Sequence, residues 1–427
     1  MKGRGRVAAV GIVSVAALWP GARALALDWR QPWVEPRGAA LTMDNADEFA
    51  WRLFVALNWP ASATVTATAG AVVDADAGAG GRPVLGDGGP VVWETWATAG
   101  QIFLEDGSDP GPWRGAGRAG SAVATESRFE NLALKELPNA RHVVGGVMVP
   151  LADPPASASR LTEIRMNRAS YEFIRSAELY NVDGQLRARA AEARIDFPSG
   201  ARDVKAKWRP IRDEERSRYH SVRVVFADGS TRLFGLTALH IASKDQPHWF
   251  WATFEQVDNP LQSDNEGWRL PSRDRFGCRG AAEDCNRAPR GVGLEGTVWQ
   301  YYRLRGTLTR YVDGAGRPQR LANSELEAGM QTSASCMTCH SRSSIGEEGG
   351  ASPSRLTVLD PSGGGASPGA PARRGYVGLP KDEWFGRREN GRGAGFWPLD
   401  FVWSLAKAQP KKMSAVMSEA VSGGNSR

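Results

Sequence analysis

Cys336-Met337-Thr338-Cys339-His340 carries the sharpest chemical signal in the chain. Two cysteines at this spacing can close a disulfide, give half of a zinc site, work as a redox dithiol, or form thioethers to a haem whose iron takes the next residue as ligand. A structural zinc site expects a second pair of similar spacing. The other two cysteines, Cys278 and Cys285, have six residues between them and do not supply it. A thioredoxin-like dithiol follows a strand in a βαβ unit, whereas Asn323-Ser324 here open a helical approach to the motif. A disulfide across two residues is a strained staple. Covalent attachment accounts for all three residues together. Cys336 and Cys339 fix the porphyrin edge, and the helical turn between them presents His340 as the proximal iron ligand. Small neighbours (Ser333, Ala334, Ser335, Ser341) let the backbone lie close to the ring. The motif therefore predicts one haem c.

The opposite side of the iron has several candidates. Strand alternation places His220 on a face with Val222, Val224 and Phe226, His240 with Phe234, Leu236 and Ala238, and His248 with Phe250, Ala252 and Phe254. Each is also readable as a core histidine with a backbone partner. A haem needs an apolar wall with one nitrogen in it, and His240 is the first candidate for the distal ligand. An open sixth position comes next, then His220, His248 and Met413. Met330 lies too close upstream of Cys336 to cross the ring.

Elements that must position these residues are legible around the motif. Asn45–Asn58 puts Phe49, Leu53, Phe54 and Leu57 on one helical face and stops before Pro60. Val92–Leu104 reads as a second helix and Leu399–Ala408 as a last one. From Val204 to Val257 the period shortens to two. Arg218–Phe226, Arg232–Ala242 and His248–Val257 alternate as strands, with Asp228-Gly229 as a turn, and Trp299–Val312 adds another. The expected fold is α+β: a largely antiparallel, β-rich and Trp-rich N-terminal domain with helices over 27–315, then a small, mainly α-helical haem c region over 316–410 and a disordered tail over 411–427. Stretches rich in Gly, Ala, Ser or Pro at 61–90, 107–122 and 346–375 read as loops or insertions.

Lys2, Arg4 and Arg6 precede an apolar run from Val7 to Leu18, and Ala24-Leu25-Ala26 follows. This reads as a signal peptide over 1–26, cleaved before Leu27, with no twin-arginine pair. No later segment reaches the roughly 20 apolar residues that span a bilayer, so an exported, periplasmic protein is expected. Loss of the four leader cations Lys2, Arg4, Arg6 and Arg23 takes the formal charge from +6 to +2. With no basic stripe or nucleic-acid motif, a nucleic-acid partner is not expected. In an oxidising compartment Cys278 and Cys285 are expected to form a disulfide, with free or redox-active thiols as the alternative.

Phe54–Pro60, Val92–Trp96, Leu239-His240-Ile241, Trp249–Asn259, Ser335–His340 and Asp400–Leu405 together resemble a group of exported bacterial proteins described as cytochrome c family proteins. The resemblance implies haem attachment at Cys336, Cys339 and His340, and brings no substrate with it. The expected function is single-electron transfer with a redox partner protein. The alternative is a haem enzyme or ligand sensor with an open or displaceable sixth iron position facing a pocket walled by Trp249, Trp251 and their neighbours, since the domain ahead of the motif, 27–315, is far larger than a shuttle requires. Glu94, Glu255 and Asp258 stand beside aromatic residues and are the other acids of note.

Overall fold

The computed structural model describes residues 29–61, 84–113, 123–125, 161–226, 229–259, 272–278, 284–327, 334–346, 377–381, 385 and 395–412. The expected leader, most of the three low-complexity stretches, the tail beyond 412, and Met330 and Met413 lie outside these residues.

The period-two stretches fold as expected into a sheet. It comprises β1 (Ala97–Thr98), β2 (Val123–Thr125), β3 (Leu161–Met166), β4 (Arg202–Pro210), β5 (Ser221–Val225), β6 (Thr231–Ser243), β7 (Phe250–Gln256) and β8 (Tyr302–Leu308). Every pairing is antiparallel except β2 with β5. β6 is the hub: β4 pairs along it, while β5 takes its first half and β7 its second. With helices such as Ala46–Leu57, Arg168–Ser176 and Val182–Ala190, the fold is α+β. No helix among the described residues is long and apolar enough to cross a membrane.

Each face of the sheet carries a core. On one, the helix Ala46–Leu57 lays Phe49 against Phe250 at 4.9 Å and Phe54 on Phe254 at 4.3 Å, with Trp299 and Tyr302 beside them. Truncating one such ring costs about 3–5 kcal/mol. The other face holds Trp249, Trp251, Cys336, Met337, Leu399 and Leu405. Residues on both sides of the expected 315/316 boundary thus share this second core.

Two expected helices are broken by tertiary pairing. Val92–Thr95 is one 3-10 turn, after which Trp96 goes extended because Arg165 Nη1 donates to its carbonyl at 2.6 Å and β1 pairs with β3. Leu399–Ala408 is likewise only a 3-10 turn over Trp403–Lys407, preceded by Asp400 and Phe401 at positive φ (46° and 70°).

Cys278 and Cys285 form the expected disulfide, Cα–Cα 5.6 Å. Beside it, fully buried Asp274 accepts from the Trp51 indole (2.7 Å) and the amides of Phe276 (2.9 Å) and Gly277 (2.7 Å). Burial pushes its pKa up to about 6, against these hydrogen bonds and with Asp47 adding to the rise. A carboxyl whose folded pKa is raised contributes stability that is fully present below its unfolded value and lost as pH rises through the folded one. The window runs from about 4 to about 6 and is worth roughly 3 kcal/mol. Wild-type protein should therefore gain stability as pH falls through that window, relative to Asp274→Asn. Urea denaturation of the two at pH 4.5 and 7.5 checks it; equal pH responses would refute this assignment.

Candidate functional site

Cys336–Ser341 is a helix of six residues, opened by Ser335, whose hydroxyl accepts from the Thr338 amide at 3.5 Å. Three contacts hold so short an element. A bridge pairs Ser335 with Leu321, Thr338 Oγ1 donates to the Gly378 carbonyl at 2.8 Å, and the Trp403 indole donates to the Cys339 carbonyl at 3.0 Å. Leu399 N then donates to Ser343 O, and a two-stranded ribbon of β9 (Ser344–Ile345) and β10 (Trp397–Pro398) closes the segment.

Cys336 and Cys339 are free thiols, the first buried and the second half-buried. Burial foremost, then the Glu327 carboxylate, pushes Cys336 well up and Cys339 up to about 12. A working redox dithiol needs the opposite, a thiolate favoured by nearby positive charge. The disulfide at Cys278 and Cys285 removes the only other thiols a zinc site could use. Among the described residues no three His, Cys, Asp or Glu side chains converge as a metal cage.

His340 is held differently. Its Nδ1 lies 2.8 Å from the Phe401 carbonyl, which can only accept, so Nδ1 carries the proton and Nε2 keeps its lone pair. Burial, then the charges of Lys205 and His240, lower its pKa to about 4 despite that bond. A neutral imidazole with one nitrogen committed to a carbonyl is what metal ligation requires of the surrounding protein. The Phe401 carbonyl is aimed by two successive residues in the left-handed region, a conformation that costs of order 1–3 kcal/mol each. Asp400 fixes them there: it accepts from Lys244 Nζ at 2.7 Å and from the Phe197 amide at 2.8 Å. Trp251 packs on the His340 ring at 4.4 Å.

The structure brings His240 to the motif, though not by the route the alternation suggests. Between Lys207 and Trp208 the register of β4 against β6 shifts, leaving Thr237 as an extra residue. Before this bulge Phe234 and Leu236 face the first core; after it Leu239 and Ile241 do. His240 is thereby turned away from Phe234 and Leu236, to the face that carries the cysteines, as a bulge reverses side-chain alternation. Its Nε2 lies 3.3 Å from Glu327 Oε2 without a well-directed hydrogen bond. Glu327 also accepts from the Asn323 amide at 2.8 Å. Across the strand His240 is paired with Lys205 and Thr253. His220 is on its expected face, but that face belongs to the first core, where it stacks on Trp299 at 4.8 Å. His248 precedes β7 and, through the positive φ of Trp249, turns from Phe250 towards Tyr311 and Phe401.

Comparison with protein-family models, curated proteins and solved structures finds no match. The site therefore rests on its residues. Glu327, Lys205, Phe401 and the Asp400–Lys244 pair are not singled out as functional by the sequence, whereas Trp251 is, as a wall of the pocket at an open sixth position. For Asp400 and Phe401 the signal is the Asp400–Leu405 stretch, a run of the resemblance without a role.

Proposed function

We propose that the chain is an exported c-type cytochrome carrying one haem, in which Cys336 and Cys339 form the thioethers and His340 is the proximal iron ligand. One observation carries the reading: two neutral, free thiols share a helical turn with an imidazole whose Nδ1 is committed to the Phe401 carbonyl. When bound, the haem supplies a one-electron iron couple, whose potential depends on axial ligation and burial. The chain's own part is to hold and shield it. Asp400 and Lys244 keep the carbonyl that orients His340, and Trp251, Met337 and Leu405 keep water from that side. The function is single-electron transfer to or from a redox partner protein in the periplasm. The leader ending at Ala26 and the disulfide, at home in an oxidising compartment, support that location. The resemblance to exported cytochrome c family proteins points the same way.

His240 is the proposed distal ligand. Its pairing with Glu327 favours a second reading, an enzyme or sensor with an open sixth position, because a histidine already held by a carboxylate is less available. Oxidised and reduced visible spectra of protein made with a cytochrome maturation system separate the two. The carrier reading expects low-spin iron in the wild type and a high-spin, cyanide-binding form in His240→Ala. A wild type that is already high-spin and takes small ligands freely would overturn it in favour of the second reading. A low-spin wild type with an unchanged His240→Ala spectrum would remove His240 as ligand.

A further inference from the structure

Glu94, noted in the sequence beside two tryptophans, finds its partner on the face of the sheet away from the cysteine motif. Its Oε2 accepts from the Val91 amide at 2.8 Å, and its Oε1 lies 3.2 Å from His220 Nε2. Both side chains are almost out of solvent, at 4% and 12% exposure. Burying an imidazole and a carboxylate against Trp299 and Trp208 is costly, and the hydrophobic core there does not require it. The contact is one of proximity: His220 Nε2 makes no well-directed hydrogen bond.

The pair sits in the wall of a cleft of about 290 Å³ between the 86–90 loop and the start of β5. That volume is at the small end of ligand pockets. The loop is built to leave it open. Gly86, at φ 95°, presses on Thr297 so closely that a Cβ would lie 2.9 Å from its methyl, whereas at Gly88 and Gly89 a Cβ would meet nothing within 4 Å. Two cations line the same cleft. Arg216 has no ion pair among the described residues, and Arg223 has only an exposed contact of 3.9 Å with Asp213, of little energetic weight. The acids that line it are already engaged, Glu94 as above and Asp87 by the Val84 amide at 2.6 Å.

We propose that this cleft is a second binding site, independent of the haem reading, for a small organic carboxylate. Arg216 and Arg223 take its anionic end, a task suited to the planar guanidinium fork, and His220 with Glu94 meets its inner end. Benzoate is the probe. In protein labelled with 15N-histidine, its addition should move the His220 signal saturably while the His240 and His340 signals stay still. The Arg216→Ala/Arg223→Ala double variant, which changes only exposed side chains, should bind about tenfold more weakly. Gly88→Leu, whose new side chain has room and no backbone strain, should weaken binding by blocking the cleft. A His220 signal that does not move overturns the proposal. So does an equal response to neutral benzamide, or undiminished binding in the double-arginine variant.

Discussion

Replacing Cys336 and Cys339 together with alanine should abolish the haem-stained band on a denaturing gel, because only thioether-linked haem survives the detergent. The chain itself should still fold. Cys336→Ala removes one sulfur from the second core, a loss of about 1 kcal/mol, and its hydrogen bond to the Leu321 carbonyl at 3.4 Å, but the backbone bridge between Leu321 and Ser335 stays in place; the Cys339 thiol is only half-buried. Circular dichroism of the double variant should match the wild type made without haem maturation. Stain that persists in the double variant would show that the haem is not attached through Cys336 and Cys339.

The second large effect lies in the sheet. Glu255 on β7 is fully buried, and its Oε2 accepts from Arg303 Nη2 at 2.8 Å while its Oε1 lies 3.6 Å from Arg305 Nε. The same Oε1 accepts from the amide of Ser324, in the segment that leads to the motif. Arg303 is 1% exposed, so Glu255→Gln leaves its buried guanidinium without the carboxylate it is bonded to. Breaking a buried pair in this way costs about 3–5 kcal/mol. Chemical denaturation should register that loss, and haem incorporation should fall with it, because Asn323 and Glu327 are positioned from the same turn. A variant within 1 kcal/mol of wild type would show that the cluster is not what joins the sheet to the motif.

Much of this architecture is legible in the residues, for physical reasons that differ by element. The helix Ala46–Leu57 is visible because its apolar stripe has the helical period and Pro60 stops it. β5, β6 and β7 are visible because alternation is a local property. The facing of His240 is not, because a single extra residue opposite Lys207/Trp208 reverses the phase of everything after it, and that extra residue is fixed by pairing with a strand 30 positions away. Val92–Leu104 reads as one helix because Arg165 and β3, which hold Trp96–Thr98 extended, are distant in sequence; helix resumes over Ala99–Ile102, capped by Thr98. At the site, Cys336, Cys339 and His340 announce themselves by spacing. Phe401 does not, since it acts through a backbone carbonyl that every residue possesses. Its special position comes from two positive φ angles and the Lys244–Asp400 contact.

Covalent haem attachment is tested by the intact mass of the protein recovered from the periplasm of cells that carry the cytochrome maturation machinery, with alkylation of accessible thiols after denaturation. The expected product is a chain beginning at Leu27, heavier by one haem, with no alkylation at Cys336 or Cys339. A chain of polypeptide mass alone, with both of those thiols alkylated, would contradict it.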